Sequence, residues 1–144
     1  MAAILLLSGP RLDRLGSREP EIYGTATLDA LVSDARTVAE AHGHTLEHHQ
    51  SDDEESLVAA VRQAAGRYGA IVVNAAHLTH TSTALADALG AYDGVKVELH
   101  ITNPSAREEW RRTSLIAPVV TGTIAGFGRG GYGLALEAVC EQLA

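Results

Sequence analysis

Arg18 and Tyr23, five residues apart in "LGSREPEIYG", are the first residues of this chain able to do acid–base chemistry together. A tyrosine hydroxyl titrates near pH ~10 and is ordinarily protonated at neutral pH. A guanidinium held beside it favours the phenolate and turns the ring into a general base. The complementary acid is a histidine oriented by a carboxylate, and "VELHITN" supplies both, His100 and Glu98. Base and acid on opposite sides of a small polar ligand describe an elimination of water. Asn74, His77, Thr79 and His80 in "NAAHLTH" can donate and accept to hydroxyls. Thr102, Asn103, Arg107 and Arg111 follow His100, and the arginines there suit an anionic substrate.

These residues are far apart in the chain, so the elements between them must bring them together. Ala2–Leu7 is an apolar run that predicts a first strand ending in a Gly-Pro break, with Arg11, Arg18 and Tyr23 in the polar loop beyond it. Leu28–His42 carries apolar residues at helical spacing and stops at Gly43. Thr45–His49 is a short second strand, after which Ser51 or Asp52 is expected to cap a helix reaching about Tyr68, with Glu54 and Glu55 completing a capping box. Ala70–Asn74 is continuously apolar up to Asn74 and predicts a strand buried on both faces. Ser82–Tyr92 is a third helix, Val95–His100 a fourth strand, Ala117–Thr121 a fifth, and Gly130 to Ala144 a closing helix. Strands alternating with helices predict an α/β domain over residues 1–144. Its parallel sheet is doubly wound in the flavodoxin-like order 2-1-3-4-5. Ligands in such sheets bind beyond the carboxyl ends of the strands where the order switches, here between strands 1 and 3. Strands 1, 3 and 4 each emit candidate residues at that end.

Other readings of the same residues are weaker. His77 and His80 could be taken for metal ligands with His100, but no Cys or carboxylate shares their spacing, and no metal is expected. His48 and His49 alternate faces of a strand and read as structural or exposed. "GFGRGG" follows the last strand rather than the first, so it reads as a tight turn and helix start, not a dinucleotide fingerprint. The lone Cys140 rules out an intramolecular disulfide and falls in an apolar helical pattern. A net charge of −7 without a basic stripe argues against nucleic acid. The N-terminal apolar run lacks a basic flank and is too short to span a bilayer, so no membrane association and a cytoplasmic location are expected.

Five segments carry a resemblance to the type II 3-dehydroquinate dehydratases: "LGSREPEIYG", "THTSTALADAL", "VELHITN", "AREEWRR" and "GFGRGGYGLALEA", in matching order and spacing. The resemblance implies an anti elimination of water from 3-dehydroquinate through an enolate, with neither metal nor organic cofactor, in dodecamers built from trimers. It implies Tyr23 as base with Arg18 activating it, His100 as general acid oriented by Glu98, and Asn74 holding the water that stabilises the enolate. By the same resemblance Ile101 and Thr102 grip the substrate carboxylate, while His80 and Arg111 take the ring hydroxyls. Arg107 falls in a lid-closing region, and Asp87 where a neighbouring subunit's carboxylate reaches the site. The chain departs from the family where Arg11 replaces an active-site asparagine, and where Ala75-Ala76-His77 replaces Pro-Gly-Ala. Arg11 can be read as stabilising an enolate by charge, or as occupying the pocket or pairing with Asp13. Those departures leave open a family lyase turned to another cyclic hydroxy-ketone, or an inactive ligand-binding relative.

Overall fold

The apolar runs are continuous because both faces of each strand are covered. In the computed structural model, which describes residues 1–17 and 19–144, β1 (Ala3–Ser8) sends Ile4 and Leu6 into one core and Leu5 and Leu7 into the other. β3 (Ala70–Asn74) divides the same way, with Val72 on one side and Ile71 and Val73 on the other. One core is roofed by α2 (Leu28–Ala41) and α6 (Gly130–Leu143), the other by α3 (Glu54–Arg62) and α5 (Thr83–Ala91). Two short helices, α1 (Pro20–Tyr23) and α4 (Leu78–Thr81), lie in the loops after β1 and β3.

The sheet is completed by β2 (Thr45–Gln50), β4 (Val95–His100) and β5 (Gly122–Ala125); all pairs are parallel and the order is β2-β1-β3-β4-β5. This is the flavodoxin-like, doubly wound arrangement expected from the alternation of elements. Ser8 pairs with both Gln50 and Asn74, so three strand ends finish level at the order switch. Among the described residues no helix is long and apolar enough to cross a membrane.

Two boundaries differ from the sequence reading. The fifth strand is Gly122–Ala125, not Ala117–Thr121; Ala117–Val119 forms a 3-10 turn around Pro118, which has no N–H to give to a ladder. The helix expected to reach about Tyr68 ends at Arg62, and Gly66, at φ +75°, turns the chain away before Tyr68. The expected capping box is also absent at its start. Asp53 is the N-cap without a side-chain bond, because the Ser51 hydroxyl accepts from the Asp53 N–H and the Asp52 carboxylate from Arg11. His48 and His49 pair with the hydroxyls of Ser8 and Ser56, at 2.8 and 2.9 Å. Cys140 is a buried free thiol.

Candidate active site

A crevice of about 270 Å³ opens beyond the carboxyl ends of β1, β3 and β4. Strand ends decide its lining: Arg11 and Tyr23 follow β1, Asn74 ends β3, His100 ends β4, and Arg107 and Arg111 lie in the segment after it. Ile101, Thr102, His77 and His80 line it as well. Of the twelve positions that the family resemblance places in the site, nine therefore meet here, with His77 beside them. Of the other three, Glu98 stands behind His100. Arg18 lies outside the described residues. Asp87 is exposed on α5 and borders a separate hollow with Arg62 and Tyr92, away from this crevice.

The histidine end of the crevice is the most constrained. His100 Nε2 lies 2.7 Å from Glu98 Oε2, and both residues are buried. The same carboxylate accepts from the hydroxyls of Thr79 at 2.5 Å, Ser114 at 2.7 Å and Thr123 at 3.2 Å. Burial alone pushes the Glu98 carboxyl up. The hydrogen bonds from His100, Thr79 and Ser114 outweigh burial and bring it down to about 2, so Glu98 is ionised at neutral pH. A buried carboxylate of this kind holds the imbalance of charge that fixes an imidazole in one orientation.

Asn74 is fixed from both ends of its amide. Its Oδ1 accepts from the Ala76 N–H at 3.2 Å and its Nδ2 donates to the hydroxyl of buried Tyr132 at 3.1 Å. An amide nitrogen has two hydrogens, so one remains for the crevice. Burial pushes the Tyr132 hydroxyl up to about 12.

The tyrosine of the first loop meets a guanidinium from the segment after β4. Arg107 Nη1 donates to the Tyr23 hydroxyl at 2.9 Å, and the guanidinium carbon lies 5.4 Å from the ring centroid. Arg107 and Arg111 share Glu108, at 3.8 and 2.7 Å from their Nε atoms; the Arg111 contact is an ion pair not aligned as a hydrogen bond. Trp110, half-exposed, stands between Arg111, whose guanidinium lies 4.1 Å from its ring centroid, and the edge of His80 at 5.4 Å. His80 Nδ1 is held 2.7 Å from the Thr113 carbonyl.

Four residues that shape the site escaped the sequence reading. Tyr132 is hidden in the apolar pattern of α6, where its hydroxyl was the only signal. Ser114 and Thr123 reach Glu98 only through tertiary folding, and nothing local marks them. Trp110, the chain's one tryptophan, sits beside Arg111 in a segment already quoted for its arginines.

Of the described non-glycine residues with positive φ, Arg11 at 65° and Ala76 at 54° line this site, and Glu19 at 41° precedes α1. The left-handed conformation costs an ordinary L-residue about 1–2 kcal/mol. Ala76 occupies the position where the resembling family has glycine, and the backbone explains the glycine. Ala76→Gly is expected to stabilise the fold by about 1 kcal/mol, raising Tm by roughly 2–4 °C in thermal melts. Gly9 is constrained by contact instead, since a Cβ there would stand 2.6 Å from the Ala75 carbonyl oxygen.

The parallel sheet, the crevice at its switch point and the paired acid–base groups define an α/β protein built for proton transfer on a small polar ligand. A profile described as dehydroquinase class II matches residues 2–140, and the chain belongs to that family. It is 49% identical over 139 residues to 3-dehydroquinate dehydratase 1 of Corynebacterium efficiens, covering 96% of this chain and 92% of that one. Identity to the 3-dehydroquinate dehydratase of Aeromonas hydrophila is 46% over 140 residues, 97% and 94% of the two chains. The crystal structure of the type II dehydroquinase from Propionibacterium acnes superposes with a TM-score of 0.91, at 42% identity and 96% coverage of both chains.

Proposed function

We propose that the chain is a type II 3-dehydroquinate dehydratase, a hydro-lyase converting 3-dehydroquinate to 3-dehydroshikimate and water. The observation that carries this reading is the crevice itself, lined by Tyr23 under the Arg107 guanidinium and by His100 with Glu98 behind it. Tyr23, as phenolate, takes the proton from the carbon beside the ketone, and the electron pair moves onto the carbonyl oxygen as an enolate. The guanidinium of Arg107 stabilises the phenolate by charge and hydrogen bond. Arg18, in the same loop, is assigned the same task. The remaining N–H of Asn74 holds a water against the enolate oxygen. The enolate then collapses, expelling the hydroxyl on the next carbon while His100 gives it a proton, so that water leaves and a conjugated enone remains. Glu98 occupies Nε2 of His100, which leaves Nδ1 to do this work.

The backbone amides at Ile101 and Thr102 are assigned to the substrate carboxylate, and His80 and Arg111 to its ring hydroxyls. No step calls for a metal or organic cofactor. Asp87 is exposed outside the crevice of its own chain, which supports the reading that it serves a neighbouring copy. We assign the protein to trimers assembled as dodecamers, in the cytoplasm, in the shikimate or quinate pathway. Among the described residues, Tyr23 and His100 line one crevice, which supports the family reaction over a changed substrate or an inactive scaffold. Incubation of the purified protein with 3-dehydroquinate should raise the ultraviolet absorbance of the enone, unaffected by a chelator. A folded protein that produces no enone would overturn the assignment.

A further inference from the structure

Arg11 lines the crevice and holds a backbone conformation that arginine does not favour (φ 65°, ψ 4°). Only glycine, and occasionally Asn or Asp, visits that region routinely. Something outside the crevice compensates. The Arg11 N–H donates to Asp52 Oδ1 at 2.9 Å, and the Gln50 side-chain amide donates to the same oxygen at 3.1 Å. Gln50 Nε2 also lies 3.1 Å from the Gly9 carbonyl, and the Ser51 N–H donates to the Ser8 carbonyl at 3.1 Å. The loop after β2 thus grips the turn at residues 8–11 at three points, although neither Gln50 nor Asp52 lines the crevice.

We propose that Asp52, braced by Gln50, is a positioning residue for substrate binding: it holds Arg11 in its left-handed turn so that the guanidinium meets the anionic ring substrate in the crevice. The inference rests on the dehydratase reading for the identity of that substrate. The Asp52 carboxylate suits the task, since the Arg11 N–H and the Gln50 amide hold it below the usual carboxylate range. Its role differs from that of the crevice residues because it acts through the backbone of Arg11 and never touches the ligand. A positioning role in binding changes KM and leaves the chemical step alone.

Asp52→Ala is expected to raise KM for 3-dehydroquinate about 10-fold and keep kcat within about 2-fold, the pattern of lost uniform binding. Asp52→Asn keeps an acceptor oxygen and should restore KM to within about 2-fold of the parent. In Arg11→Gly, which accepts the left-handed turn and has no guanidinium, adding Asp52→Ala should change KM by less than about 2-fold, because the two residues act as one unit. The affinity for quinate, a ring carboxylate without the ketone, gives an independent reading through Trp110 fluorescence and should weaken in parallel. If the parent enzyme makes no enone, the dehydratase reading has failed. The parent turning over while Asp52→Ala leaves KM and quinate affinity unchanged would overturn the positioning role alone. An equal loss in the Arg11 and Arg11→Gly backgrounds would do the same, and would mark Asp52 as a brace for the loop and nothing more.

Discussion

Tyr23→Phe is expected to lower kcat on 3-dehydroquinate by about 10²–10⁴-fold, the range found when a positioned general base is removed. The ring is not what is lost. Phenylalanine keeps the packing against the core beneath α2 and α6 and the face presented to Arg107. What disappears is one oxygen, held 2.9 Å from the Arg107 guanidinium. KM should move little, because the carboxylate and ring hydroxyls of the substrate are assigned to other residues. Steady-state rates of enone formation check this directly. A Tyr23→Phe enzyme keeping more than about a tenth of parental kcat would remove Tyr23 from the role of base.

The second large effect is at Glu98. Glu98→Gln is expected to reduce kcat about 10²-fold or more, because His100 loses the anionic acceptor that orients its ring. It should also destabilise the fold. Glu98 titrates at about 2 in the native state against 4.5 ordinarily. A native pKa below the unfolded one means that the ionised carboxylate stabilises the fold above about pH 4.5, and that this contribution is lost as pH falls from there toward 2. The shift corresponds to something on the order of 3 kcal/mol. Urea titrations at pH 7 and pH 3 measure it: the parent should lose stability between them, and Glu98→Gln, already without the ion, should lose distinctly less. Equal acid sensitivity in both proteins would sink the assignment of this stability to Glu98.

Much of this was legible in the chain because each strand announces itself and ends where its chemistry begins. Asn74 and His100 could be placed at strand ends from the apolar runs before them, and in the β3–β4 register His100 lies one residue beyond the level of Asn74. The edge was harder. "APVVT" has the β-branched look of a strand, but Pro118 turns it, and the true strand is a short, largely unburied "GTIA". The site was legible by residue type and illegible by contact. That a tyrosine needs an arginine is chemistry; that Arg107, 84 residues away, donates to its hydroxyl is a tertiary fact. Tyr132 behind Asn74 and Ser114 beside Glu98 belong to the same class. Asp52 was read as a helix cap because capping is local, whereas its carboxylate is engaged 41 residues upstream.

The two halves of the proposed chemistry rest on parts of the fold with very different resistance to opening. His100 and Asn74 end strands whose last residues are buried in the interior of the sheet, so their amides should exchange with solvent only when the whole domain unfolds. Tyr23 ends a four-residue helix that buries none of its residues. Segments of that kind open at a small fraction of the global unfolding free energy. Warming is therefore expected to release Tyr23 before it disturbs His100. The enzyme would fall silent while its sheet, its spectroscopic signature and its hydrophobic cores remained intact, and it would recover on cooling. The temperature at which it stops working and the temperature at which it unfolds are set by different parts of the chain.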